Sequence, residues 1–184
     1  MKTPPSLSPG FSRAVPEGDD RLRQVCDHCG FIAYENPKLV VGSVVRHEGR
    51  FLLCRRAIEP RKGFWTIPAG YMELHETPED GARREAMEEA CAEISISALL
   101  AIYSVPRISQ VQIHYRATLA KPEFAPGHES LEVDLFKWEE IPWNDIAFPS
   151  VHWVLNHDRR SEEGETPPFF NPPGELGNSM SNQD

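Results

Sequence analysis

The chain has 184 residues, a formal net charge of −9 and 40% apolar residues. These values fit a soluble domain that builds its core without disulfides. They exclude general nucleic-acid binding, which needs a positive footprint, and no apolar run is long enough to span a bilayer. A phosphate substrate stays open, because a metal ion supplies positive charge locally.

Residues 1–20 lack the apolar core of a signal peptide and are rich in Pro, Ser and Gly, so a disordered tail is expected there. Residues 21–37 form a short leader carrying Cys26 and Cys29 as a CxxC pair; the other two of the four cysteines are Cys54 and Cys91. That spacing does not suggest a disulfide-stapled secreted domain, and a cytoplasmic location is expected. The organised domain is expected over residues 38–158, followed by a second disordered tail over 159–184 in which only Phe169 and Phe170 offer an apolar anchor.

Within the domain, residues 39–46 are rich in β-branched side chains and read as a strand; residues 47–50 turn, with Gly49 free to take positive φ, and 51–56 return as a second strand. A short strand over 64–69 ends at Gly70. The best helix covers 79–90, and further strands are expected over 94–105, 110–119 and 133–138. A closing helix over 150–157 would use Ser150 as its N-cap and turn Val151, Val154 and Leu155 inward. Strands before, around and after one long helix make a mixed α/β domain, α+β in its segregation of elements.

The long helix has a well-specified start: Thr77 can cap it, Pro78 suits its first position, and Glu79 and Asp80 complement the positive end of the dipole. Ala82, Ala86 and Ala90 form a narrow seam for packing on a sheet, with Met87 displaced from it. Glu85, Glu88 and Glu89 stand at i, i+3 and i+4, which puts the three carboxylates on one face. A run of this kind is most often a solvated acidic face. Here Arg84 is interposed beside Glu85, and the helix follows a strand and glycine turn that bring backbone carbonyls near it. Hard oxygen donors at that density suit Mg²⁺ or Mn²⁺.

Gly70, five residues, Glu76, seven residues, Arg84-Glu85, Ala86, any residue and Glu88-Glu89 resemble the Nudix box. Its one departing fixed position is Cys91, where the box has a second glycine; Cys91 is expected to be a small buried residue. Asn36-Pro37-Lys38, Leu53-Cys54-Arg55-Arg56, Trp65 with Pro68-Ala69-Gly70, Pro126-Gly127-His128-Glu129 and Ile141-Pro142-Trp143 resemble one Nudix subgroup. That subgroup has a zinc-ribbon leader and includes FAD and ADP-ribose pyrophosphohydrolases.

The resemblance implies an α/β/α sandwich with a mixed β-sheet. It implies a metal held by Gly70, Glu85, Glu88 and Glu89, with Glu76 in the cluster or bracing Arg84. Glu88 and Glu89 count as catalytic as well as metal-holding, and Glu129, on a loop outside the box, is the candidate base or extra metal ligand, with Glu132 the alternative. Arg55 and Arg56 are adjacent on a strand and point to opposite faces, so one of them can reach substrate phosphate; Arg61 and Lys62 sit in the following loop. Tyr34, Phe64, Trp65 and Tyr115 are candidates for stacking on a base, and Arg107 and Gln110 for lining the pocket. Cys26 and Cys29 are half of the subgroup's zinc ribbon, short of the four ligands a structural site needs, so zinc is doubtful; His28 is a further candidate ligand.

The expected activity is hydrolysis of the pyrophosphate bond of FAD or ADP-ribose by a homodimer. A nucleoside triphosphate sanitiser and a non-catalytic nucleotide sensor are the alternatives. Intact helical glutamates weigh against the sensor.

Overall fold

A computed structural model describes residues 9–177, which fall into two compact units divided after Asn36. The expected tails at residues 1–8 and 178–184 lie outside the described residues.

The first unit is a three-stranded antiparallel sheet in the order β1 (Phe11–Ala14), β2 (Arg23–Cys26) and β3 (Ile32–Ala33). Residues 11–14 were expected in a tail. They form a strand because each pairs across to β2, from Phe11 opposite Cys26 to Ala14 opposite Arg23. Their order comes from a ladder and not from an apolar pattern of their own, so periodicity does not reveal it.

The second unit is built on β4 (Lys38–His47), β5 (Arg50–Arg56), β8 (Ile94–Val105), β9 (Gln110–Leu119) and β10 (Ser130–Phe136). They run in the order β10-β5-β4-β9-β8; the short strands β6 (Trp65–Thr66) and β7 (Ala69–Tyr71) pair with β5 and β4. β4 and β9 are parallel and the remaining pairs antiparallel, which makes the sheet mixed. The strand expected over 64–69 is split in two around Ile67-Pro68, since Pro68 has no N–H to give to a ladder; its carbonyl instead accepts from Ser43 N–H at 3.1 Å.

Helices cover both faces. On one lies α1 (Pro78–Ala90), whose Ala82, Ala86 and Ala90 are fully buried. Ala86 and Ala90 share a cluster with Val45, Leu52, Cys54, Ala117 and Val133, while Ala82 packs with Val41 and Tyr115. Small side chains let this helix sit close to the sheet. On the other face α2 (Pro149–Glu162) packs Val151, Val154 and Leu155 against Val44, Leu53, Leu100 and Tyr103. The result is the expected α/β/α sandwich. Asp158, fully buried on α2, is flanked by Arg46 and Arg116, each with Nε at 2.6 Å from a carboxylate oxygen, which ties the helix to β4 and β9.

Ser150 is not the cap of α2. Phe148 takes that position without a side-chain bond, Pro149 opens the helix and Ser150 is buried in its first turn. Proline's fixed φ and missing N–H suit the first helical position and place the boundary earlier.

The second tail is also corrected. α2 continues to Glu162, and the chain beyond it docks on the edge of β8. Phe169 N–H donates to Leu100 O at 2.9 Å and Phe169 O accepts from Ile102 N–H at 2.8 Å. Its buried ring stacks on His157 with centroids 4.6 Å apart. The Asn171 side chain accepts from Ser104 N–H at 2.8 Å and donates to Ser104 O at 2.9 Å, covering an edge that would otherwise be unpaired. Among the described residues no helix is long and apolar enough to cross a membrane.

Candidate active site on the acidic face of α1

Local chemistry fixes the start of α1 as its sequence implies. Thr77 is extended, its hydroxyl accepts from Asp80 N–H at 3.2 Å, and Pro78 follows. From that start the 3.6-residue period turns Glu85, Glu88 and Glu89 toward β7 and the loop before β10. Glu85 and Glu89 are buried, 7% and 6% exposed, whereas Glu88 is exposed.

Glu89 Oε2 accepts from Ala69 N–H at 3.0 Å. Its surroundings still hold the proton: burial pushes its pKa up to about 8, and the Glu85 and Glu129 charges raise it while the Ala69 bond and Arg56 oppose. Burial also raises the Glu85 pKa, against the pull of Arg84. Two desolvated carboxyls side by side are costly unless a cation joins them.

In the present arrangement Arg84 supplies positive charge to Glu85 and Glu88, while Glu89 feels only Arg56. Its guanidinium reaches Glu85 at 2.7 Å and Glu88 at 3.0 Å, and grips Glu76 through Nε at 3.0 Å and Nη2 at 2.8 Å. The Arg84 bond, helped by Glu73 N–H, lowers the Glu76 pKa to about 2. Arg84 Nη2 also donates to Tyr71 O at 3.0 Å, so this one side chain joins β7, the loop before α1 and the helix. Glu76 is thus the brace of Arg84.

Gly70 pairs with Val41 in the β4–β7 ladder, and a Cβ there would be driven into the Glu85 carboxylate. The absent side chain lets the Glu85 carboxylate lie directly against the strand backbone. The loop before β10 closes the other side. Ala125 N–H donates to Ala90 O at 2.9 Å and Gly127 N–H to Glu89 O at 3.0 Å; a Cβ at Gly127 would collide with the Glu88 carbonyl. Glu129, exposed, is thereby carried within electrostatic reach of both buried glutamates. Pro126-Gly127 stood out in the sequence only as part of a family-like segment, and its contact with the helix was not legible there.

The remaining candidates divide. Arg56 lies within electrostatic reach of Glu89, with Nε donating to Pro60 O at 2.9 Å. Arg55 is committed to Gly63 O at 2.9 Å and to Glu132 at 3.5 Å, which also takes Glu132 to a surface pair. Arg61 is committed to Ala147 O at 3.2 Å and to the Phe64 ring at 3.9 Å. Gln110 donates to the Tyr71 hydroxyl at 3.2 Å, beside Gly70, and Lys38 covers the Tyr71 ring at 4.9 Å. Lys62 and Arg107 are exposed.

Trp65 is a correction: its β6 register turns it into the core on the α2 side, edge-to-face with Phe136 at 4.9 Å, so it has no face for a base. Tyr115 is likewise buried, against Val41 and Ala82. Tyr34 belongs to the first unit, where Arg23 covers its ring at 5.2 Å. Cys91, expected buried, is exposed. It takes the left-handed conformation, φ 48° and ψ 32°, with its N–H donating to Met87 O at 3.0 Å, and this geometry turns the side chain outward while Ala92 fills the interior.

Comparison with known proteins agrees with this architecture. The NUDIX domain family matches residues 36–154, and the Nudix N-terminal zinc-ribbon family matches residues 9–35. The chain belongs to the Nudix family of hydrolases. It is similar to a NUDIX hydrolase from Nitrosomonas europaea of known crystal structure, 45% identical, with a TM-score of 0.83 over 92% of this chain and 98% of that one. A MutT-like protein of Streptomyces ambofaciens is 35% identical over 99 residues, so this chain spans 60% of that relative's length. An ADP-ribose pyrophosphatase of Methanocaldococcus jannaschii is 27% identical over 130 residues, 68% of this chain and 76% of the relative.

The two groups that this kinship implies, a catalytic cation and a ribbon zinc, fit unequally. Among the described residues no three His, Cys, Asp or Glu side chains already converge as a metal cage. The α1 site nevertheless has the donor chemistry: two buried carboxyls whose pKa burial raises, a third on the same face, and a glycine strand backbone against which the Glu85 carboxylate lies directly. The first unit offers two thiols and does not fit a closed tetrahedral zinc site.

Proposed function

We propose that the acidic face of α1 is the catalytic centre of a divalent-metal-dependent pyrophosphohydrolase acting on a nucleoside diphosphate linked to a second moiety, with FAD or ADP-ribose preferred. The observation that carries the reading is the buried Glu85–Glu89 pair under Gly70, costly to ionise without a cation. Glu85, Glu88, Glu89 and the Gly70 carbonyl would hold Mg²⁺ or Mn²⁺, which supplies charge neutralisation at phosphate and a more acidic bound water.

The chain's own residues do the rest. Arg84, anchored by Glu76, fixes the rotamers of Glu85 and Glu88 and leaves Glu89 to the backbone N–H of Ala69. Glu129 accepts the proton of the attacking water from the loop that Gly127 seats on the helix. Arg56 is the candidate for phosphate binding and Gln110 for the rim beside Gly70. Attack at one phosphorus breaks the P–O–P bridge and releases a nucleoside monophosphate and a phosphorylated partner.

The substrate preference rests on the similarity to an ADP-ribose pyrophosphatase and to a mouse mitochondrial NAD(P)H pyrophosphatase, NUDT13, 30% identical over 152 residues but matched over 42% of its length. In this reading the protein is a cytoplasmic homodimer, and light scattering at micromolar concentration checks the assembly. Purified protein, incubated with ADP-ribose with Mg²⁺ or with EDTA, tests the activity: AMP and ribose 5-phosphate only with metal support it, and turnover in EDTA refutes it.

A further inference from the structure

The first unit is a zinc-ribbon-like sheet with half of the expected ligands. Its CxxC turn is nevertheless intact. Cys26 ends β2, its N–H donates to Phe31 O at 2.8 Å, and Gly30, at φ 72°, returns its N–H to Cys26 O at 3.0 Å. The Gly30 bond to Cys26 O closes one tight turn that holds Cys26 and Cys29 three residues apart; the Cys29 and His28 backbones lower the Cys26 pKa. Cys29 is exposed and Cys26 partly so. The sequence carries no cysteine before Cys26, and Cys54 and Cys91 belong to the second unit. A closed turn that presents two accessible thiols together, short of the four ligands a structural zinc site needs, suits thiol chemistry.

We infer that Cys26 and Cys29 form an oxidisable dithiol, a modification site at which a low-molecular-weight disulfide converts the pair to an intrachain Cys26–Cys29 disulfide. Cys26 gives its proton to solvent and attacks one sulfur of the small disulfide; a mixed disulfide forms on Cys26 and one small thiolate leaves. Cys29 gives its proton to solvent and attacks the Cys26 sulfur, closing the protein disulfide and expelling the second small thiolate. The protein loses two electrons and two protons, and the small disulfide is reduced to two thiols. The bond spans only the turn, so the change is confined to the first unit and does not depend on the reading of the α1 site.

The full chain carrying Cys91→Ser, which removes the other exposed thiol, is incubated with oxidised glutathione and analysed by intact mass and peptide mapping. The expected product lacks both leader thiols, has lost two hydrogens, carries no adduct and yields a peptide linked between Cys26 and Cys29. Cys29→Ser, in the same background, is expected to stop at one glutathione on Cys26. An adduct that persists on Cys29 in the parent protein overturns the inference. So does zinc at one half or one atom per chain with both thiols unreactive until a chelator is added. The parent measurement stands even where the Cys29 variant fails to fold.

Discussion

Replacing Glu89 with glutamine should make the metal-free protein more stable and the enzyme nearly inactive. Glu89 titrates near 4.5 in an unfolded chain and is raised to about 8 in the fold, chiefly by burial. Between those values the folded state holds a proton that the unfolded state has released. Stability therefore falls as pH rises from about 4.5 to about 8. Each pKa unit is worth about 1.4 kcal/mol, which sets a ceiling of about 5 kcal/mol for the full shift. Glutamine keeps an oxygen for the Ala69 N–H but buries an amide, so we expect a net gain of about 1–3 kcal/mol at pH 8. The gain should vanish near pH 4.5, where the wild-type carboxyl is protonated as well. Urea denaturation in EDTA at pH 5 and pH 8 reads this directly. The same substitution should lower metal-dependent hydrolysis at least about a hundredfold. A variant no more stable than wild type at pH 8, or one that hydrolyses substrate at the wild-type rate, would refute the reasoning.

Gly70→Ala should leave the fold within about 1–2 kcal/mol of wild type, because the far end of Glu85 can yield to the new methyl; hydrolysis should fall tenfold or more as that carboxylate is displaced, measured by denaturation and initial rates. Cys91→Gly should stabilise the protein by about 1 kcal/mol, since glycine adopts the left-handed φ of 48° without a Cβ penalty, and a thermal melt with unchanged kcat checks it. Glu129→Gln should reduce kcat at least tenfold, whereas Glu132→Gln, which loses only an exposed pair with Arg55 at 3.5 Å, should cost less than twofold; equal losses would remove Glu129 from its role.

Features set by neighbouring residues were legible in the sequence. Thr77 and Pro78 define the start of α1 through their own backbone chemistry, and the spacing of Glu85, Glu88 and Glu89 fixes their shared face whatever the helix packs on. The alanine seam was legible for the same reason. Features set by distant pairing were not. Trp65 is in the core because of where β6 lies against β5, and an aromatic side chain carries no local mark of that. β1 exists through β2, and the segment holding Phe169 and Asn171 is ordered by β8, many residues earlier. The anchor at Phe169 was visible, but a polar, proline-rich stretch gives no hint that one ring and one amide suffice to dock it. Cys91 faces solvent because a left-handed residue closes the helix, a conformation that its residue type disfavours.

The central claim is tested most directly by products. FAD, ADP-ribose and a set of nucleoside triphosphates are offered separately to the purified protein with Mg²⁺, and kcat/KM and product identity are recorded for each. The account predicts AMP with FMN from FAD, AMP with ribose 5-phosphate from ADP-ribose, and at least a tenfold preference for one of these over every triphosphate, about 1.4 kcal/mol of transition-state discrimination. A triphosphate cleaved more efficiently than both dinucleotide-type substrates, with release of pyrophosphate, would contradict it.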